Sequence, residues 1–255
     1  MQRVRVLVKV KCILGSLISF ARLSECRCDR RLRNYSDLYQ NTYRSFGTMN
    51  TRLSTLISFY RNRSHCGGSV SKFVSRDYSA WTLRRLVYSR DPEIRCAAVW
   101  ALGSVGQHSE YRFLGPFLRD SDSNLRLEAD VAREQILLRI RSDWHCQFAQ
   151  QIEDSMADSH WKSANRMVDR LVAKHGEHPQ SWLLRVSVRM CTSQLIGAID
   201  DCRHLLSFDR DCYRACVFLG QSYWWMQRLE VAKECFMEAK RIYPNWSASG
   251  IGSCT

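Results

Sequence analysis

Several cysteine and histidine residues of this chain are spaced so that their side chains could bind a metal. Cys212 and Cys216 are four residues apart, and Cys235 and His204 could join them from neighbouring predicted helices. Thiolate and imidazole groups in such a set bind zinc. The twelve cysteines contain no Cys-x-x-Cys pair, however, and these positions favour burial, where a thiol packs as a small apolar side chain. We therefore predict no metal and no cofactor.

The other residues capable of catalysis are also better explained without an enzymatic role. His175 and His178 flank a predicted turn, where imidazoles are usually solvated. The grouped carboxylates fall on predicted helix surfaces or ends, where solvation is expected. No phosphate-binding glycine loop, Gly-x-Ser-x-Gly or His-Glu-x-x-His motif is present in the sequence. The chain is predicted not to be an enzyme. The carboxylates considered are Glu153, Asp154, Asp158, Asp200 and Asp201.

The formal net charge of +13 is concentrated near the N-terminus. Residues 1–75 contain 14 Lys/Arg and 3 Asp/Glu, and residues 25–75 are rich in Arg, Ser, Asn and Tyr without a sustained helical period. That composition predicts a disordered basic extension. Residues 76–255 carry a net charge of only +2, and 45% of the whole chain is apolar, which is enough for a folded core.

The first residues resemble the charged and apolar regions of an export signal. Four Lys/Arg precede the mainly apolar residues 12–21, but no clean cleavage site follows. Three interpretations stay open: a basic tail, a weak export signal, and a true start at Met49. The apolar run is too short to cross a bilayer, so no transmembrane segment is expected. Scattered cysteines on packing positions favour a reducing compartment, and we expect a cytoplasmic location.

The segment 77–141 contains a pattern that occurs twice at a fixed spacing. Asp91-Pro92 predicts a turn and a helix start, and the next helix has apolar residues at i, i+3, i+4 and i+7. In the second copy, Asp122 takes the place of Asp91 and Ala129 that of Ala98. The run Asp-Pro-Glu-Ile-Arg with Ala-Ala-x-x-Ala-Leu-Gly resembles short HEAT-like repeats of the group that includes the phycobilisome-lyase family. The resemblance implies paired helices over residues 76–142.

A second pattern lies nearer the C-terminus. The spacing Leu-Gly-x-x-Tyr, then Ala-x-x-x-Phe and a closing Pro, resembles the tetratricopeptide repeat, whose unit is about 34 residues long. Seven positions match, namely Leu219, Gly220, Tyr223, Ala232, Phe236, Ala239 and Pro244.

Two weaker copies precede this one at the same period. The resemblance implies units at about 145–178, 179–212 and 213–246, in a region that runs from 143 to 246 and is followed by a tail, 247–255. Each helix pair in such an array covers the apolar face of its neighbour. The fold class expected from both resemblances is an all-α, right-handed α-solenoid, HEAT-like and then tetratricopeptide, with a rigid junction between the two parts.

The tetratricopeptide resemblance also implies a concave groove. In that family the second, fifth, ninth and twelfth residues of each copy face the groove, and an apolar groove suits a partner helix or extended segment. We expect a non-catalytic scaffold that binds another protein, with Leu183, Met190, Val217 and Trp224 as anchors. Alternatively, Trp224 and Trp225 pack beneath a final helix, or the tail with Trp246 fills the groove. The expected groove positions are Gln180, Leu183, Ser187, Met190, Arg214, Val217, Gln221 and Trp224.

Two other function classes stay open. Nucleic acid could bind through the basic extension, although basic and acidic residues balance in the repeats and make binding there less expected. The phycobilisome-lyase resemblance would imply attachment or removal of a pigment at a cysteine of an acceptor protein, but nothing in the sequence identifies a chromophore pocket. The identity of the partner and self-association of the stack are not determined by the sequence.

Overall fold

The computed structural model describes residues 49–62, 69–140 and 143–247. Within these ranges the chain is all-helical and has no strands, which confirms the predicted all-α class. The helices pack against their neighbours in series. In chain order they are α1 (Met49–Arg61), α2 (Ser69–Asp77), α3 (Ala80–Leu86), α4 (Pro92–Val105), α5 (His108–Phe113), a 3₁₀ helix (Gly115–Arg119), α6 (Ser123–Ile140), α7 (Asp143–Ala157), α8 (Trp161–His175), α9 (Pro179–Cys191), α10 (Leu195–Phe208), α11 (Tyr213–Trp225) and α12 (Leu229–Ile242).

The first six helices form a bundle around one apolar core, and that bundle begins earlier than the sequence suggested. Part of the segment that we expected to be a disordered extension is helical, since α1 and α2 lie within residues 49–77. Leu56, Phe73 and Val74 of these helices are buried in the core. The numerous Arg and Ser residues obscured a helical spacing of apolar residues in α1. Residues 1–48 lie outside the described part of the chain.

Asp91 and Asp122, which the repeat pattern predicts to be equivalent, occupy equivalent positions at the starts of α4 and α6. The Asp91 carboxylate accepts a hydrogen bond from the Glu93 backbone N–H (2.8 Å), and Asp122 accepts one from Asn124 N–H (2.9 Å). Each aspartate therefore satisfies a backbone donor that the first helical turn leaves unpaired.

The close approach of α4 and α6 depends on a glycine. Gly103 lies in the last turn of α4, where an added Cβ would be 2.9 Å from Ala132 on α6. The absence of a side chain at this position allows the two helices to pack closely.

The last six helices form three pairs, α7–α8, α9–α10 and α11–α12, and the turns inside the pairs are equivalent. Ser159, Ser193 and Gln227 occupy these turns with φ of 59°, 61° and 60°. In each turn the next residue donates a backbone hydrogen bond to the carbonyl five positions back, as Gln194 does to Arg189 (2.8 Å). This bond and the positive φ satisfy helix-end carbonyls as in a Schellman motif. The same turn geometry thus occurs once in each of the three predicted units.

The two parts of the chain share a core. Residues of α11 and α12, among them Val217 and Ile242, belong to the same buried cluster as α1–α6. A second cluster joins α7 through α11. The chain therefore folds back, so that the bundle rests against the last helix pair. Among the described helices, none is both long enough and apolar enough to cross a membrane.

Candidate functional site

The expected groove positions are mostly buried within the molecule. Ser187 is fully buried and Met190 is 1% exposed, and both lie beside apolar side chains of α9 and its neighbours. Only Arg214 and Trp224 of the eight positions are partly exposed. Trp224 packs with Tyr223 and Ala232 in a small cluster at the end of α11. A partner on this face would therefore meet Arg214 and Trp224 before the other predicted anchors. The six buried positions are Gln180, Leu183, Ser187, Met190, Val217 and Gln221.

Helix α6 of the same chain covers the start of α11. The Arg214 guanidinium forms ion pairs with Asp130 (3.7 Å) and with Glu134 of α6. Tyr213 donates a hydrogen bond to Asp130 Oδ2 (3.2 Å). We call this contact of α5, the 3₁₀ helix and α6 with the segment 209–217, together with the α6 contacts to His178 and Asn245, the seam. At Arg214, a predicted groove residue, helix α6 of the same chain therefore occupies the place expected for a partner helix.

The residues of α6 at the seam form one helix face. Arg126, Asp130, Arg133 and Leu137 are spaced i, i+4, i+7 and i+11, so they lie along one side of α6. The apolar residues that pack on the bundle core are offset by one position, on an adjoining side. Helix α6 is consequently buried on two sides. Its seam contacts, besides those to Tyr213 and Arg214, are Arg126 with Asn245, Arg133 with Asp209 and Asp211, and the Leu137 carbonyl with His178.

A buried ion pair lies at the centre of the seam. Both oxygens of Asp209 accept hydrogen bonds from the Arg133 guanidinium (3.0 Å each), and Tyr111 O–H donates to Asp209 Oδ2 (2.5 Å). The guanidinium also lies 4.2 Å from the centre of the Tyr111 ring. Burial raises the pKa of the Tyr111 hydroxyl well above its usual value, so this group stays a donor. The network fixes how the bundle sits on the last helix pair.

The seam was not predicted from the sequence. A stripe of charged residues runs along α6 beside the apolar one, but a helix with one solvated side shows the same pattern. Nothing local in that stripe identifies Asp209, 76 residues away from Arg133, as its partner. The charged stripe therefore indicates neither the burial of this face nor the segment that covers it.

Two glutamines among the expected groove residues have an unpartnered buried oxygen. Gln180 and Gln221 are 6% and 5% exposed, and neither Oε1 atom accepts a hydrogen bond from the described residues. A buried carbonyl without a donor is unfavourable by about 1–3 kcal/mol. Both oxygens are covered by neighbouring parts of the chain, so a partner molecule could not reach them in this arrangement.

The cysteine and histidine cluster is not assembled as a ligand set. The His204 ring stacks on Trp182 at 4.2 Å, and burial raises the pKa of the Cys216 thiol to about 12. Cys212 is likewise buried, with its pKa raised mainly by burial. In the part of the chain that the structure describes, no group of three or more Cys, His, Asp or Glu could hold a metal ion. These thiols are free and contribute packing.

Two further expected surface groups are not on the surface. His178 is 6% exposed, and its Nε2–H donates to the Leu137 carbonyl (3.2 Å). Asp201 is 3% exposed, and it forms ion pairs at 2.7 Å with Arg185 and with Arg189. The expectation that Asp201 is solvated was wrong, because two guanidiniums of α9 face it from the paired helix.

Exposed apolar side chains gather at one edge of the last two helix pairs. Ile199 near the start of α10 packs with Tyr223 near the end of α11, which brings these two helix ends together. Ile196 is 69% exposed and Leu229, at the start of α12, is 54% exposed. We call the edge formed by Ile196, Trp225 and Leu229 the turn edge. Exposed apolar residues at neighbouring helix ends are candidates for an interaction site.

Comparison of the chain with protein-family models, with curated proteins and with solved structures finds no match.

Proposed function

We propose that the chain is a non-catalytic scaffold that binds another protein, built as a right-handed α-solenoid with HEAT-like and then tetratricopeptide-like units. The single observation that carries the proposal is the turn geometry repeated, once in each helix pair, at Ser159, Ser193 and Gln227. An array of helix pairs offers a long, rigid surface, which suits recognition of an extended partner.

The proposed contact surface is the turn edge together with the adjoining end of α11. Trp224 connects the two, because it is an expected groove residue at the helix end next to Trp225. An exposed Trp with flanking aliphatic residues is the kind of side chain that dominates binding energy in protein interfaces. Partner binding here leaves the seam and the buried groove positions undisturbed.

A capture experiment tests this proposal with the full chain as bait in nuclease-treated native lysate. The test bait carries Ile196→Glu and Leu229→Glu. The matched control carries Leu127→Glu and Met237→Glu, two apolar residues that are 50% and 63% exposed elsewhere. All baits are first checked for unchanged helicity and melting. We expect one near-stoichiometric protein with the parent and the control, and its loss with the test bait.

Recovery of the same protein by all three baits would move the contact surface away from the turn edge. Recovery of no protein by the parent bait would contradict the scaffold function itself.

A further inference from the structure

A strip of exposed aromatic and arginine side chains lies on the bundle, away from the turn edge. Trp81 on α3 is 65% exposed and Tyr88, just after α3, is 70% exposed. They are seven residues apart, about 10 Å along a helix. Arg85 lies between them in sequence, with its guanidinium 4.8 Å from the centre of the Trp81 ring. Single exposed apolar residues are common, but two large rings with a cation between them form a defined surface.

Side chains of α5 and of the 3₁₀ helix support the Tyr88 ring. The Tyr88 ring packs against Phe117 (5.6 Å between centres) and Phe113 (6.4 Å). Phe117 is buried, so Tyr88 stands on a rigid base while most of its surface stays accessible. Arg112, the neighbour of Phe113, is exposed on the same helix. We call Trp81, Arg85, Tyr88, Arg90 and Arg112 the arginine–aromatic strip.

The nearby carboxylates are already engaged with other groups. Glu110 accepts hydrogen bonds from Arg84 (2.5 Å), from Gln107 N–H (2.7 Å) and from the Ser109 hydroxyl (2.9 Å). Asp91 accepts from backbone N–H groups at the start of α4. Within the described ranges of the chain, Arg85, Arg90 and Arg112 form no ion pair with a carboxylate. The strip therefore keeps a net positive charge.

Three acidic residues of the bundle lie in a different place. Glu93, Asp122 and Glu128 line a cavity between α1, α4 and α6, and Tyr60 donates to Glu128 there (3.0 Å). The balance of charge that made nucleic-acid binding less expected in this region includes residues away from the strip, such as the pair Arg95–Asp120 (2.7 Å) and the pair Arg61–Glu93 at the cavity. The strip itself combines exposed guanidiniums with exposed rings.

We propose that the arginine–aromatic strip binds single-stranded nucleic acid, with bases stacked on Trp81 and Tyr88 and phosphates paired with Arg85, Arg90 and Arg112. Unpaired bases expose flat faces that stack on aromatic rings, and the guanidinium fork matches phosphate oxygens. A duplex hides its base faces, so it offers the strip phosphates alone. This proposal is independent of protein binding at the turn edge.

The test measures binding of the full chain to fluorescein-labelled ten-nucleotide oligouridine and oligothymidine by anisotropy, at 50 and 300 mM salt. The test variant is Trp81→Ala/Tyr88→Ala, which removes both rings and no charge, so the basic residues 1–75 are unchanged. The matched control is Leu127→Ala/Met237→Ala, which removes two exposed apolar side chains (50% and 63%) elsewhere. Trp81→Phe/Tyr88→Phe keeps both ring faces.

We expect the Ala pair to weaken binding at least about tenfold at both salt concentrations, since each lost stacking contact weakens binding by about fivefold or more. The control and the Phe pair should stay within about threefold of the parent. Arg85→Gln/Arg112→Gln should weaken binding and reduce the salt dependence, because each phosphate contact contributes a slope of about 0.7 for single strands.

Unchanged binding by the Ala pair would overturn the proposal and assign any affinity to the basic residues 1–75 alone. Absence of binding by the parent would also overturn it. Equal displacement of the oligonucleotide by a ten-residue polyglutamate would show an acidic peptide site in place of a nucleic-acid site.

Discussion

The buried pair of Arg133 and Asp209 is the residue-scale contact on which the seam depends most. Arg133→Met leaves the Asp209 carboxylate buried without its counter-charge, which we expect to lower the free energy of unfolding by about 3–5 kcal/mol. Adding Asp209→Leu removes the stranded charge, so the double variant should recover a large part of that loss. Urea denaturation of the parent, both single variants and the double variant at pH 7 measures the coupling.

A double variant that loses as much as the sum of the two single variants would contradict a direct interaction between Arg133 and Asp209. Arg185→Met, near Asp201, is a control for the loss of an arginine. Arg189 still pairs with Asp201 (2.7 Å) in this variant, so the free energy of unfolding should fall by less than in Arg133→Met.

The buried thiols make stability depend on pH in the alkaline range. Burial raises the pKa of Cys96 to about 11 and that of Cys216 to about 12, from an ordinary value of 9.0. Above pH 9 the unfolded chain releases these protons and the folded chain keeps them, so the stability present below pH 9 is lost as the pH rises. We expect the free energy of unfolding to fall by about 1 kcal/mol per pH unit for each thiol between pH 9 and 11.

Urea midpoints measured with a reductant at pH 8, 9, 10 and 10.5 check this pH dependence. The Cys96→Ala/Cys216→Ala variant should show a shallower decline over the same range. An equal decline in both proteins would assign the effect to other groups, such as the buried tyrosines.

At the scale of single elements, the three left-handed turn residues carry backbone strain. Ser193 has φ of 61°, a region where a side chain is disfavoured and glycine is not. Ser193→Gly should raise the melting temperature. We expect the free energy of unfolding to increase by about 0.5–1 kcal/mol, after allowance for the larger conformational entropy that glycine gives the unfolded chain. Ser193→Val should lower it by more than that, because a β-branched residue is least tolerant of positive φ.

The melting temperatures of these two variants, compared with the same pair of changes at exposed Gln194, where φ is −84°, test the turn geometry. Stabilisation by glycine at both positions would attribute the effect to something other than the positive φ.

Local sequence patterns predicted most of the helices. They did not predict the contacts between segments that are far apart in the sequence. The helix starting at Pro92 and the one starting at Pro179 follow from proline at the first helical position and the 3.6-residue period, which depend on neighbours in sequence. The eight groove residues followed from a repeat pattern that says which side of a helix faces inward. That pattern does not say what covers this side, and for Arg214 the cover is α6, which comes from a much earlier part of the chain.

At the scale of the whole molecule, the seam joins the bundle to the last helix pair. The packing at the seam is closest at Gly115. A Cβ on Gly115 would overlap the Asp211 carboxylate, and Asp211 also pairs with Arg119 (2.6 Å). Gly115→Ala should therefore destabilise the fold by about 1–3 kcal/mol through overpacking. Hydrogen exchange should rise in both α6 and α11, since the two sides of the seam separate together.

Gly197→Ala is the matched control, because this glycine lies inside α10, where its new methyl group would meet the Arg189 side chain at 3.2 Å, and that side chain, paired with Asp201, would have to shift slightly. Alanine is the better helix former and offsets part of this crowding, so this variant should lose less stability than Gly115→Ala. A similar loss of stability in both variants would argue against close packing at Gly115.

The seam also sets an order of events while the chain is being made. Arg126 donates a hydrogen bond to Asn245, which is synthesised 119 residues later. Arg133 pairs with Asp209, which is synthesised 76 residues later. At about 5–20 residues per second, the α6 face that ends up buried stays in water for several seconds on the ribosome. Its charged stripe suits that interval, because a polar face remains soluble until its partner emerges, whereas an apolar one would invite aggregation.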